Sequence, residues 1–226
     1  MILLLLETSA AFCTVAICDD SSILSSVIAD KPNSHTEDIT LLIQKACDSA
    51  RVPLSLINGI AISHGPGSYT SLRVGVATAK AICYALNIPL ISIESDRILM
   101  NGVHNTDVGK NDIILTMIDA RRMEVYYSVW DSQGELLQPI HSMIIENAVT
   151  IGHEIKKIHL CGSGAKKYYD AIADDRHILH HHHPLAEHMA KFARKNFISE
   201  NFENLVTYSP FYFKEPNITL STKKII

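Results

Sequence analysis

Ile113-Ile-Leu-Thr-Met-Ile-Asp119 repeats, at an offset of 112 positions, what Ile2-Leu-Leu-Leu-Leu-Glu7 does at the start of the chain. Each is an apolar run ending in a carboxylate, the pattern of a strand buried on both faces. After the first run, Cys13–Cys18 and Ile23–Ile28 are β-rich and flank the polar turn Asp19-Asp20-Ser21-Ser22, which predicts a hairpin. After the second, Glu124–Trp130 and Glu135–Ile145 flank Asp131-Ser132-Gln133-Gly134 in the same way. Asp19 and Asp131 are again 112 apart. Two features at one offset predict an internal duplication.

The rest of the first copy alternates helix and strand. Ser34-His35-Thr36-Glu37 fits a capping box, and Ile39, Leu42, Ile43, Ala46 and Ala50 then recur at helical spacing. Asn58–Ser63 and Pro89–Ile93 read as strands and Tyr69–Leu86 as a helix, so a largely parallel sheet with crossover helices is expected. Lys157–Cys161 runs into Gly162-Ser163-Gly164 and a helix from about Ala165, echoing Gly65-Pro66-Gly67 at an offset of only 97. The second copy has therefore lost material before its glycine turn. Asn101–Asn111, polar with two glycines, marks the boundary between an N-terminal lobe (1–100) and a C-terminal lobe (101–226). In the tail, Pro210–Phe213 should dock and the last few residues should be loose.

Composition bounds the function. The chain has 226 residues, 47% of them hydrophobic and 19% charged, with a net charge of −4. This is a globular composition without the basic excess of a chain that grips nucleic acid by itself. The apolar start ends at Leu6 with no basic region before it, so no signal peptide or spanning helix is expected, and no membrane partner. Five cysteines without a CxxC pair read as reduced core residues of a cytoplasmic protein.

Several candidate sites compete with plainer readings. The turn before Tyr69 would present free amides to a phosphate, but neither GxxxxGK[ST] nor GxGxxG occurs, so a tight turn is favoured. The helix Tyr69–Leu86 has an apolar face of Leu72, Val76, Ala79, Ile82, Cys83 and Leu86, and Gly75, Ala77, Ala81 and Ala85 make much of the remainder small. Such a helix packs on two sides, against the other lobe or against another chain. Glu7 and Asp119 would hold a magnesium ion if the lobes faced each other across a cleft, and Thr8 and Ser9 add hydroxyls, but no glycine or lysine follows to grip phosphate. The alternative for Asp119–Glu124 is a structural salt-bridged turn. His180–His183 lacks metal-ligand spacing and reads as a solvated loop, and His35 and His64 read as isolated. No catalytic triad can be assigned, and no metal site is expected.

Taken together, Ile2–Ser9, Ser34-His35-Thr36, Gly65-Pro-Gly-Ser-Tyr-Thr70 with Leu72-Arg73-Val-Gly75, Asn87-Ile-Pro-Leu90, Asp119-Ala-Arg121 with Glu124-Val-Tyr126, Pro184-Leu-Ala-Glu187 and Pro210-Phe-Tyr212 resemble the TsaB family, often named glycoprotease-like. The resemblance spans nearly the whole chain. It implies a duplicated α/β fold of the actin, sugar kinase and Hsp70 class (ribonuclease H-like), here with a truncated second copy. It implies a non-catalytic subunit for threonylcarbamoyladenosine formation beside the anticodon of tRNAs. The implied partners are a catalytic TsaD-type paralogue and a TsaE-type ATPase, with tRNA bound only indirectly or weakly. The chain would carry no cofactor of its own, ATP and magnesium acting through the partners, and at most a vestigial, weak nucleotide site at Glu7, Thr8, Ser9 and Asp119. In the paralogue two histidines four apart bind the metal. Here those positions fall at about Ser95 and Leu99, neither of which replaces an imidazole. Pairing is expected through the helices His35–Ala50 and Tyr69–Leu86, by Ile39, Ile43, Tyr69, Leu72, Arg73, Val76, Ala79 and Lys80, as a heterodimer or, alone, a homodimer. The alternatives are a small-molecule phosphotransferase of the same fold and a metallopeptidase.

Overall fold

A computed structural model describes residues 1–104, 108–152 and 154–214. The outermost tail, expected to be loose, lies outside the described residues. The first sheet is built from β1 (Leu3–Glu7), β2 (Thr14–Cys18), β3 (Ile23–Ile28), β4 (Gly59–Gly65) and β5 (Leu90–Glu94), in the order β3-β2-β1-β4-β5. The second holds β6 (Ile113–Asp119), β7 (Glu124–Asp131), β8 (Leu136–Ile144), β9 (Ile158–Cys161) and β10 (His177–Leu179), in the order β8-β7-β6-β9-β10. The two orders are the same, and so are the directions. β1 and β6 each pair antiparallel with the following strand, Leu3 opposite Cys18 and Ile113 opposite Asp131. Each pairs parallel with the strand that enters the glycine turn, Leu6 opposite Ile62 and Leu115 opposite Leu160. This is the duplication expected from the repeat, in the α/β architecture that the resemblance implies.

The helices show what the second copy lacks. In the first, α1 (His35–Ala50) links β3 to β4 and α2 (Tyr69–Leu86) links β4 to β5. In the second, α4 (Ala165–Ala171) matches α2, but no helix forms between β8 and β9 among the described residues. The lost material is the counterpart of α1. Its place is taken by Ile145, Val149, Ile151 and Ile155, which cover the second sheet as irregular chain.

Alternation along β1 explains its continuous apolar run. Leu4 and Leu6 face α1 and α2, while Leu3 and Leu5 face the opposite layer. That opposite layer comes from an element the sequence left unassigned and from the end of the chain. α3 (Ser95–His104) follows β5 directly and wedges between the lobes, with Ile98 in the first lobe's core and Leu99, Met100 and Val103 against β6 and Trp130 of the second. The short turn Ala186–Met189 and α5 (Ala190–Ile198) then pack on the first sheet, and the Glu203 amide donates to the Leu90 carbonyl at its edge, 2.8 Å. The two sheets are thus joined through α3, which packs on both, while residues 186–208 return to the first.

One local expectation changes. Ser34 precedes α1 but caps nothing with its side chain; its hydroxyl donates to the Lys31 carbonyl (2.8 Å) and contacts Asp38. The capping box is therefore absent. All five cysteines are free and buried, as core thiols should be. No described helix is long and apolar enough to cross a membrane.

Candidate functional site

The glycine turn ending β4 is occupied by the protein's own backbone. Gly65 has a φ of +113°, and a Cβ there would stand 2.4 Å from the Phe211 carbonyl oxygen. A Cβ on Gly67 would meet the Ser9 carbonyl at 2.4 Å, and one on Gly75 would meet Thr8 Oγ1 at 2.2 Å. These glycines allow close approach, and what approaches is the segment after β1 and the tail. The Ser68 amide, the first donor of α2, binds the Ser9 carbonyl at 2.8 Å. The turn starts the helix, and the Ser68 amide there is already bonded to the protein's own backbone.

The tail docks where expected and also joins the lobes. The Phe211 amide donates to the His64 carbonyl at 2.8 Å, and the Phe211 ring stacks on His64. Tyr208 is buried, with its hydroxyl 3.1 Å from His64 Nδ1. His64 is therefore not isolated. Tyr212 lies on Tyr69 of the first lobe, while Phe213 lies on Tyr126 and Lys214 pairs with Glu124, both of the second. Residues 208–214 form a strap across both lobes beside the glycine turn.

The two strand-end carboxylates have different surroundings. Glu7 is fully buried. One oxygen accepts from the Ser9 amide (2.6 Å) and hydroxyl (2.5 Å); the other has no hydrogen-bond partner among the described residues. Desolvation outweighs the Ser9 bonds and raises its pKa from 4.5 to about 7. Asp119 is exposed, paired with Lys167 at 2.5 Å, and accepts the Arg121 amide at 2.8 Å. The salt-bridged turn is thus the observed arrangement, although Lys167 supplies the charge and not Arg121 or Arg122. A magnesium site needs ionised, accessible oxygens. Glu7 is only about half ionised at neutral pH and is fully buried, and α2 closes on Thr8 and Ser9. Among the described residues no group of three or more His, Cys, Asp or Glu is placed to hold a metal.

The raised Glu7 pKa gives a stability prediction. Between pH 4.5 and 7 the unfolded chain releases this proton while the folded chain keeps it, so stability falls as pH rises through that window. Glu7→Gln removes the effect and keeps the acceptor facing Ser9. Thermal melts should show the variant matching the wild type at pH 4.5 and exceeding it by about 3 kcal/mol at pH 8. A pH-independent difference would contradict the assignment.

The expected interface needs redrawing. Ile39, Ile43, Val76 and Ala79 are buried in the core between α1, α2 and the first sheet, and Leu72 is fully buried as well; of these only Ile43 reaches the lining of the groove beside α1. Lys80 extends to the tail, where it donates to the Tyr208 carbonyl at 3.1 Å. Only Tyr69 and Arg73 of the expected set are exposed, and they contact each other, Arg73 Nη1 donating to the Tyr69 hydroxyl at 2.9 Å. The apolar periodicity marked the inward face. The outward face holds Leu41 (62% exposed) of α1 and Ala77, Ala81 and Tyr84 (84% exposed) of α2. A groove of about 670 Å³ opens beside it, lined by Thr40, Gln44 and Ile82 among others. The signal in the sequence was the set of small residues opposite the apolar stripe.

The histidine tract is not wholly solvated. His180 is half-buried, with Nε2 2.8 Å from His159 Nδ1, and His183 packs on Phe12.

Comparison with known proteins bears on all of this. The model of the family TsaD, tRNA N6-adenosine threonylcarbamoyltransferase, matches residues 23–217. A tRNA threonylcarbamoyladenosine biosynthesis protein TsaB from Buchnera aphidicola is 26% identical over 221 residues, covering 95% of this chain and 94% of that one. The TsaB of Escherichia coli is 27% identical over 128 residues, 57% of this chain; that match spans only 54% of its own length. Among solved structures, YeaZ from Pseudomonas aeruginosa superposes with a TM-score of 0.81 at 21% identity, over 94% of this chain and 99% of that one. That likeness shows the fold.

Proposed function

The chain belongs to the TsaD-type threonylcarbamoyltransferase family, and within it to TsaB, and from that premise we propose that it serves threonylcarbamoyladenosine formation on tRNA as the non-catalytic partner of a TsaD-type enzyme. The observation that carries the reading is α3. Ser95 and Leu99 sit one helical turn apart on it, the spacing that a pair of metal-binding histidines would use. Leu99 packs instead in the apolar layer with Val103, Ile114 and Trp130, and Ser95 is buried. The helix offers no imidazole at either position.

The partner docks on the outward face of α1 and α2. Ala77 and Ala81 would let a second helix approach closely, Tyr84 and Leu41 supply apolar area, and Arg73 adds a charge at one end. Alone, the same face would join two copies. The TsaE-type ATPase joins the assembly and supplies ATP chemistry, while this chain needs no nucleotide: the buried Glu7 and the closed packing at Thr8 and Ser9 support that. With a net charge of −4 it leaves most of the tRNA contact to its partners, in the cytoplasm. The phosphotransferase reading lacks an accessible carboxylate pair, and the metallopeptidase reading lacks a histidine pair on α3, where Ser95 and Leu99 stand.

Analytical gel filtration tests the pairing. The chain mixed with the TsaD-type enzyme of the same organism should elute as a 1:1 complex, and ATP-hydrolysis and peptidase assays of the chain alone should be blank. Separate elution, or turnover by the isolated chain, would sink the proposal.

A further inference from the structure

The chain crosses from the second sheet back to the first through His180, His181, His182 and His183. Two buried residues fix how this tract begins. Asp112 Oδ2 accepts the Gly109 amide at 2.7 Å and lies 3.2 Å from His159 Nε2. A carboxylate only accepts, so Nε2 of His159 carries a hydrogen, and in the neutral ring Nδ1 then keeps a lone pair. His180 Nε2, 2.8 Å from that Nδ1, must then donate. The hydrogen of neutral His180 is thereby placed on Nε2, and its Nδ1 is left with a free lone pair.

A carboxylate and a further hydrogen-bonding group that fix an imidazole's tautomer and direction are the usual support of a metal-binding histidine. The second imidazole is also at hand. The rings of His180 and His182 have centroids 5.5 Å apart at an interplanar angle of 39°. Two imidazoles sharing one tetrahedral zinc ion bring their centroids to roughly 5 Å. His183 is turned to Phe12, 5.0 Å between rings, and belongs to another contact.

We propose that His180 Nδ1 and His182 bind one zinc-type divalent cation, with Asp112 and His159 as positioning residues. Among the described residues no constellation of three ligands exists, so water completes the coordination. Neutral imidazoles select zinc over magnesium or calcium. The ion would tie down the segment by which the chain returns to the first lobe, so Zn²⁺ should raise the melting temperature in a concentration-dependent way.

The test uses the full chain without a polyhistidine tag, titrated with Zn²⁺ by calorimetry and by competition with a zinc dye, with a melt for every variant. The wild type should bind one Zn²⁺ per chain. His182→Ala should weaken binding at least tenfold, His159→Gln by about 10–100-fold, and His183→Ala not at all. No binding by the wild type overturns the proposal. So does equal weakening by His183→Ala and His182→Ala, which is the behaviour of an adventitious histidine tract. If His159→Gln does not fold, the His182→Ala and His183→Ala pair decides, since both side chains are exposed.

Discussion

Ala81→Glu should leave the isolated chain folded and remove its complex with a TsaD-type enzyme, whereas Val76→Glu should fail to fold. The two residues lie on the same helix, five positions apart. Ala81 is exposed, and a glutamate there costs only a few tenths of a kcal/mol in the free chain. Docked against a second helix, the same carboxylate is desolvated without a partner. That costs about 3 kcal/mol, roughly a hundredfold in Kd. Val76 sits in the core with Ile39, Ile43 and Ile62. An unpaired carboxylate there costs about 4 kcal/mol or more, a large part of the stability of an ordinary domain. Circular dichroism and gel filtration of both variants separate these outcomes. A folded Val76→Glu chain, or an Ala81→Glu chain that still pairs at wild-type affinity, would refute this map of the face.

Ending the chain at Thr207 should lower its melting temperature by about 10–20 °C relative to a chain ending at Lys214. The strap removed carries buried Tyr208 and the half-covered rings of Phe211, Tyr212 and Phe213. Covering such rings contributes about 1–2 kcal/mol each, or about 5 kcal/mol together. At this chain length 1 kcal/mol moves the midpoint by about 2–4 °C. The loss also uncovers the glycine turn and removes the Phe213–Tyr126 and Lys214–Glu124 links between the lobes. A shift below about 3 °C would show that the strap is only laid on the surface.

The first copy was legible almost residue by residue because its signals are local. α1 and α2 begin and end where the spacing predicts, and β3 does too. The duplication was legible because one offset recurs. What escaped was set by tertiary packing. α3 carries apolar residues on two faces, since it lies between the lobes, and Asn101 and Gly102 weaken its helical signal. The return of residues 186–208 to the first sheet leaves no trace in local pattern. The pairing residues expected from the apolar stripe are buried for a definite reason: the apolar face of a surface helix is the one its own sheet covers, which puts Ile39, Ile43, Leu72, Val76 and Ala79 inside. The outward side of α2 is marked by small residues with an exposed aromatic among them. Glu7 was read correctly as a strand-end carboxylate, but its burial depends on α2 approaching Thr8 through Gly75, a contact no spacing reveals.

The most direct test of the central claim is threonylcarbamoyladenosine formation in tRNA, measured by mass spectrometry of the nucleosides. The reaction would contain the TsaD-type enzyme, the ATPase, threonylcarbamoyl-adenylate and tRNA, with this chain as wild type, as Ala81→Glu, or omitted. Product should form with the wild type, fall to the level of the omitted control with Ala81→Glu, and be absent when the chain acts without the TsaD-type enzyme. Product from this chain without that enzyme, or full activity when the chain is left out, would contradict its role as a non-catalytic partner.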